Sequence, residues 1–401
     1  MSRPLLIGRQ PIFDRQQRLF GYELLFRDPD PGLSPETDGD RASERLLVDA
    51  VLEYGLDALC GDGYAFVNVT RDNVLSNAVR ALPKERVVLE ILEDVTVDAE
   101  LVAAVRDLAA AGYTIALDDF VFEPAWEPLV RLARIVKVDL LAHTAGELET
   151  LVRRLRPYGV RLLAEKVETE AVLQRCHQLG FHYFQGYHLQ KPQLVRGKRI
   201  DAGRLAQLRL LAAINDPKVT VENLAAIVRT DPGLSFKLLK FINSARFALP
   251  GRVDSIERAI VLLGLAELKR WATLLMLSEA ITESPGHTLR LSLCRARMCE
   301  RLAETANMAD TASFFLVGLL SILESVLQKP MADILPHLPL AKPVAEGLLG
   351  RGPGGEALGC VLAYENWKMD AVRFRDLPLP VLGELYLESL RWAAAAVAEM
   401  H

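Results

Sequence analysis

Cysteine, histidine and unbroken hydrophobic stretches are all scarce in this 401-residue chain. Its five cysteines (Cys60, Cys176, Cys294, Cys299 and Cys360) are odd in number and form no Cys-x-x-Cys pair. That excludes a disulfide framework and leaves reduced, partly buried thiols. No run of about 18 uncharged apolar residues occurs, so no membrane partner is expected. The opening Met1–Gln10 carries too short an apolar run for a secretory signal, and the expected location is the cytoplasm. A net positive balance is also lacking: the net charge is −5, which argues against a broad polyanion-binding surface and against a nucleic-acid polymer as partner. What the chain has in plenty is core, with 50% hydrophobic residues over a length that suits two or three domains.

Six short apolar runs in the first half each deliver an acidic, amide or lysine side chain at or near their end. They are Phe66-Val67-Asn68, Val87-Val88-Leu89-Glu90, Ile115-Ala116-Leu117-Asp118-Asp119, Ile135-Val136-Lys137, Leu162-Leu163-Ala164-Glu165 and Tyr183-Phe184-Gln185. Buried parallel strands read as continuous apolar runs, and in a (β/α) barrel the chemistry sits at the carboxyl-terminal ends of the strands. From Asn68 onward the intervals are 22, 28, 19, 28 and 20 residues, each long enough for a strand, a crossover helix and two loops. A solenoid would repeat at similar spacing, but without a reason to carry carboxylates at its strand ends. A TIM-like (β/α) barrel is therefore expected.

Glu23, Asn68, Glu90, Asp118 and Asp119 are hard oxygen donors of the kind that suits Mg²⁺ or Mn²⁺. Side chains alternate along a strand, so adjacent Asp118 and Asp119 reach one site only where the strand ends and the backbone turns. A carboxylate bridging two metals about 3.5–4 Å apart would hold a phosphodiester and activate water for in-line displacement. Lys137 would orient that water or neutralise developing charge, and Glu165 would complete the shell. A single such residue is ordinarily a solvated strand end or loop cap; six at successive strand ends are read as a site.

Arg9-Gln10-Pro11-Ile12-Phe13-Asp14 and Gly21-Tyr22-Glu23-Leu24-Leu25-Phe26-Arg27 resemble the opening of EAL-type cyclic di-GMP phosphodiesterase domains, with Leu24 in place of the family's Ala. The resemblance continues through Val67-Asn68-Val69, Leu89-Glu90-Ile91, Asp118-Asp119-Phe120, Val136-Lys137-Val138-Asp139, Ala164-Glu165-Lys166-Val167-Glu168 and Gln185-Gly186-Tyr187, about residues 5 to 195 in family order. It implies that Glu23, Asn68, Glu90 and Asp118 bind one metal, and that Asp118 and Asp119 serve a second. It also implies that Lys137 and Glu165 position the attacking water, that Arg27 contacts a phosphate, and that Gln10 and Gln185 lie in the dinucleotide pocket. The family reaction opens cyclic di-GMP to linear pGpG. One segment departs: after Asp-Asp-Phe the family continues with a Gly-Thr-Gly-type loop tied to the second metal and to dimerisation. Here Val121-Phe122-Glu123-Pro124-Ala125-Trp126-Glu127-Pro128 stands instead, with no glycine and two prolines. Such a segment cannot take the family's backbone at low cost, and Glu168, which braces that loop in the family, is expected to lose its partner.

After Pro192, Arg196-Gly197-Lys198-Arg199 reads as a short polar bridge, and the pattern turns helical. Helical stretches are expected about 223–228, after Asp231-Pro232-Gly233, and over 255–263, 267–281, 289–307, 312–327 and 382–397. Ile227-Val228-Arg229-Thr230-Asp231-Pro232-Gly233-Leu234, Phe241-Ile242-Asn243-Ser244-Ala245 and Leu262-Leu263-Gly264 resemble an HDOD domain. In Phe315-Leu316-Val317-Gly318-Leu319-Leu320, the following Ser321 and Ile322 replace the metal-binding pair of HD enzymes. This half has only His287, His337 and His401, read as loop or terminal residues, so an all-α, metal-free interaction module is expected. Arg295, Arg297 and Arg301 with Lys237 and Lys240 form either a site for an acidic partner or a solvated helix face. The expected layout is an EAL-type barrel at 1–195 and an HDOD bundle at 196–401 with an unknown protein partner; a homodimer is among the assemblies the resemblance allows. Two readings of the barrel stay open. One is a cyclic di-GMP receptor with slow or no hydrolysis, the other a working phosphodiesterase regulated by the bundle.

Overall fold

Alternation decides which residues of the apolar runs face inward, and closure of the sheet decides what they meet. In this computed structural model eight strands form a closed barrel in sequence order, with β1 Leu6–Asp14, β2 Leu19–Arg27, β3 Tyr64–Val69, β4 Val87–Ile91, β5 Thr114–Leu117, β6 Ile135–Asp139, β7 Arg161–Glu165 and β8 Tyr183–Phe184. The structure describes residues 6–27, 55–76 and 78–186 of the first half. In the second half it describes 285–327, 329–338 and 340–400, with shorter stretches between 214 and 273. The bridge Arg196–Arg199, the helix start at Asp231–Gly233, Ser244, Lys237, Lys240, His401 and the side chain of Arg27 lie outside the described residues.

The barrel is (β/α) in kind with one strand reversed. β1 runs antiparallel to both β2 and β8, while every other neighbouring pair is parallel. The reversal follows from a tight hairpin between β1 and β2. Asp14 Oδ1 accepts from the backbone N–H of Gln16 and Arg18, both at 2.9 Å, and Gln17 takes φ 57°, local chemistry that turns a chain in few residues.

Ile12, Phe66, Val88, Ala116, Ile135, Leu163 and Tyr183 meet in one buried apolar layer, with Phe20 packed against it. Two residues farther along each parallel strand, on the same inward face, come Asn68, Glu90, Asp118, Lys137, Glu165 and Gln185. Because β1 is reversed, its counterpart is reached by counting backward: Gln10 lies two residues before Ile12. The polar site is thus a second storey on an apolar floor. Gly21 precedes Glu23 in the same way, and a Cβ there would strike the Tyr64 carbonyl. Outer helices are set by local caps: Asp98 accepts from Leu101 N–H at the start of Ala99–Ala110, and Thr144 with Glu147 forms a capping box for Ala145–Leu155.

Two compact units make up the chain, Met1–Lys191 with Glu365–Trp367 and Pro192–Tyr364 with Lys368–His401. The second is helical where described, and its elements include Val221–Arg229, Ile256–Leu263, Pro285–Thr305, Thr311–Leu320, Gly352–Glu365 and Leu379–Met400. Two expectations are corrected there. Pro285-Gly286-His287 opens a 21-residue helix and is no loop, since proline fits the first helical turn. The helix expected over 312–327 ends at Leu320 and restarts at Leu323. Ser321 Oγ donates to the Gly318 carbonyl at 2.7 Å and accepts from Arg295 Nη1 at 3.3 Å, while Ile322 is core. Gly318 is where two helices touch, and a Cβ there would strike the backbone of Arg295. All five cysteines are free and buried. Among the described residues no helix is long and apolar enough to cross a membrane.

Candidate active site

Lys137 ends no loop; it stands inside the barrel with no exposed surface, at the middle of an acidic ring. Its Nζ lies 2.7 Å from Asp118 Oδ1, 2.9 Å from Glu90 Oε1, 3.2 Å from Glu165 Oε1 and 3.4 Å from Glu23 Oε1. One ammonium facing four carboxylates cannot align with all of them. These are ion-pair contacts without hydrogen-bond alignment, and Lys137 Nζ, both Glu90 oxygens, Asp118 Oδ1, Glu165 Oε2 and Asn68 Oδ1 are buried with no hydrogen-bond partner.

The electrostatics follow from that imbalance. Burial pushes Glu90 well above the usual carboxylate range, with Lys137 opposing and Glu23 and Asp118 reinforcing the rise. Burial also raises Glu165, to about 8, again against the pull of Lys137. Lys137 itself is held well above an ordinary lysine: its own burial acts downward, but Glu90, Glu23, Glu165 and Asp118 together outweigh it.

Asp118 and Asp119 both reach the site because the backbone turns between ladder bonds. Asp118 N–H donates to the Ile91 carbonyl (3.0 Å) and Phe120 N–H to the Lys137 carbonyl (3.1 Å), so the strand is held from both neighbours. Asp119 between them takes φ 37°, a left-handed conformation that Asp tolerates better than most residues. Donor oxygens of Asp118, Asp119 and Glu165 come within 4.8 Å of one another. The same device follows Glu165: Lys166 takes φ 56° and turns outward, where its ammonium pairs with Asp139 at 2.5 Å. Asp139 sits opposite Glu165 in the β6–β7 ladder. Hard oxygen donors with unpartnered buried atoms fit a divalent cation that demands oxygen ligands.

Gln10 and Gln185 come together on Glu23. Gln185 Nε2 donates to Gln10 Oε1 (2.7 Å) and to Glu23 Oε2 (2.6 Å). Reading strand ends alone missed this network and the Lys166–Asp139 pair. The signal for the first was the two-residue alternation of Gln10 with Ile12; positive φ at Lys166 leaves no trace in composition. Arg27 belongs to β2, opposite Leu6.

The segment after Phe120 is held by rings. Trp126 is buried, Phe120 meets Phe122 and Trp126 edge-on at 5.9 and 6.1 Å, and the Arg154 guanidinium lies 4.0 Å over Phe122. Pro124 begins a short 3₁₀ turn, and Glu127 pairs with Arg131. Glu168 is exposed and holds no hydrogen bond or ion pair among the described residues.

A family model described as EAL domain matches residues 70–192, and one described as HDOD domain matches residues 205–333. The first match begins beyond Gln10, Glu23 and Asn68. YuxH of Bacillus subtilis (strain 168) is 32% identical over 399 residues, 97% of this chain and 98% of its own. CdgJ of Vibrio cholerae serotype O1, described as a cyclic di-GMP phosphodiesterase, is 33% identical over 397 residues, 96% of this chain and 92% of its own. A solved structure, the PaMucR phosphodiesterase with c-di-GMP, is 25% identical with TM-score 0.40, over 47% of this chain and 96% of that one. Identity of this order along nearly the whole length, with both domain models matched in order, means that the chain belongs to the EAL–HDOD family, an EAL barrel followed by an HDOD helical domain.

Proposed function

We propose that the barrel is a metal-dependent cyclic di-GMP phosphodiesterase that opens its substrate to linear pGpG. The observation that carries this reading is the convergence of Asp118, Asp119 and Glu165 donor oxygens within 4.8 Å, achieved although the following loop has no glycine. The relationship to CdgJ, a cyclic di-GMP phosphodiesterase by description, supports the same substrate. Glu23, Asn68, Glu90 and Asp118 would hold one Mg²⁺ or Mn²⁺, and Asp118 with Asp119 a second. Bound there, divalent cations supply Lewis-acid polarisation of the phosphodiester and a more acidic water.

The chain's own residues do the rest. Glu165 Oε2, buried and unpartnered, takes the proton as water attacks phosphorus in line. Burial raises its carboxyl to about 8 in the metal-free site, and cations held beside it would lower it again, leaving a carboxylate able to accept that proton. Lys137 holds Asp118, Glu90 and Glu165 in one ring and keeps positive charge beside the attacked group as the phosphorus–oxygen bond breaks, the leaving oxygen taking a proton from solvent to become the free hydroxyl. Arg27 and Gln10 stay proposed for the dinucleotide pocket, Arg27 at a phosphate. The HDOD half is proposed as a protein-interaction module whose state the barrel reports, which requires the nucleotide to favour one of two arrangements.

A receptor with slow hydrolysis is the second reading, favoured by the ring-packed 121–128 segment and by Glu168, which has no partner among the described residues. Full-length protein incubated with cyclic di-GMP and Mn²⁺ or Mg²⁺, with binding and pGpG release read separately, tests both. Release that disappears with EDTA supports the enzyme. Binding without release supports the receptor, and absence of both at micromolar nucleotide overturns the two together.

A further inference from the structure

We infer that Gln185 is a positioning residue that aims Glu23 into the acidic ring, which deepens the phosphodiesterase reading and rests on Glu23 being a metal ligand. The inference begins at the barrel's seam. Among the described residues β1 meets β8 through two pairs, Phe13 with Phe184 and Asp14 with Tyr183. Gln10 faces Glu23 in the β1–β2 ladder. At this height the Gln185 side chain, nine-tenths buried and more, links the two sides of the seam.

Both hydrogens of its amide nitrogen are engaged, one on Gln10 Oε1 at 2.7 Å and one on Glu23 Oε2 at 2.6 Å. A carboxylate oxygen among the two acceptors fixes which end of the amide is the donor. With Oε2 tethered, Glu23 turns its other oxygen, Oε1, toward Lys137 at 3.4 Å. That is the longest of the four carboxylate contacts to Lys137, so the ammonium is a poor candidate for orienting Glu23. The tether is itself well anchored. Gln185 N–H donates to the Ala164 carbonyl, its carbonyl accepts from Val167 N–H, and Gly186 follows at φ 151°, where any Cβ would strike the Val167 backbone. Gln185 Oε1 is buried without a partner and remains the only part of the amide free to meet anything else.

A hydrogen-bonded neighbour of this kind typically changes metal affinity by about 10- to 100-fold when removed. The test is Mn²⁺ affinity of full-length protein, read by electron paramagnetic resonance, for the parent, Gln185→Met, Glu23→Gln and the double variant. Gln185→Met, of similar length but unable to donate, is expected to weaken Mn²⁺ by about 10- to 100-fold. Mn²⁺ affinity is read without nucleotide, so a contact of Gln185 with the dinucleotide cannot produce that loss. In the Glu23→Gln background the same change is expected to add little, because coupled residues are not additive. Where Gln185→Met does not fold, Gln185→Glu replaces it with the same expectation, since it turns the donor into an acceptor facing Glu23. Unchanged Mn²⁺ affinity or fully additive losses overturn the inference. A parent that binds no Mn²⁺ overturns the phosphodiesterase reading itself, and the inference with it.

Discussion

Removing the ammonium at the centre of the ring while keeping its bulk isolates what that charge does. Lys137→Met leaves a chain of similar length in a site with no exposed surface, so packing changes little. Four carboxylates within 3.4 Å of Nζ then lose their common counter-ion. Breaking a buried ion pair by deleting one partner costs about 3–5 kcal/mol, because the remaining charge has nowhere to go. A second route gives a similar figure: holding a carboxyl of ordinary pKa about 4.3 protonated at pH 7 costs about 3.7 kcal/mol. At pH 5 the same protonation costs only about 1 kcal/mol. The expected result in EDTA is therefore a barrel weaker by about 3–5 kcal/mol at pH 7 and nearly restored at pH 5. Urea unfolding reports the size, and hydrogen exchange in the β4 and β6 peptides assigns the loss to the barrel and not to the helical unit. A loss below about 1 kcal/mol at pH 7, or one equal at both pH values, would refute the reasoning.

Three further outcomes are expected. If pGpG is released, Glu23→Ala should lower the rate by orders of magnitude through loss of a metal ligand; an unchanged rate in a pGpG assay contradicts the catalytic assignment. Glu90 and Glu165 are raised in the fold, Glu165 to about 8 from 4.5. Groups raised in this way support the metal-free fold fully below their unfolded values and withdraw that support as pH climbs through the folded ones. EDTA-treated protein should thus lose thermal stability from about pH 5 to about pH 8, and Mn²⁺ should raise the melting temperature more at pH 8 than at pH 6; equal metal shifts at the two pH values count against it. Gly318→Val should loosen the helical unit, since even a Cβ at that position meets the Arg295 backbone, and a loss of several kcal/mol in urea is expected; a loss within about 0.5 kcal/mol would show that the two helices do not depend on that close approach.

Much of the fold was legible because strand alternation is local. Phe66 with Asn68, Val88 with Glu90 and Leu163 with Glu165 each carry, two residues apart, an apolar floor and a polar tip, and that period is written into the chain before any strand pairs. The same holds for the helical second half, whose apolar periodicity and shortage of histidine are properties of short windows. Other features depend on closure of the sheet. β1 is not among the apolar runs, and its reversed direction comes from the Asp14–Arg18 hairpin; that reversal carries Gln10 to the height of Glu23 and Gln185. Lys137 reads as one more polar strand end. That it stands 2.7–3.4 Å from four acids follows from the register of five different strands. The loop after Asp119 shows the division most plainly. Its prolines and missing glycine forecast a backbone unlike the family's; here Phe122 and Trp126 pack against Phe120, and Arg154 lies over Phe122. Asp119 nevertheless points to Asp118 and Glu165, because one left-handed residue between two ladder bonds sets its direction. Alternation assigns each side chain to a face from its nearest neighbours alone. Which inward side chains meet is decided when distant strands close on one another, and that information exists only in the assembled barrel.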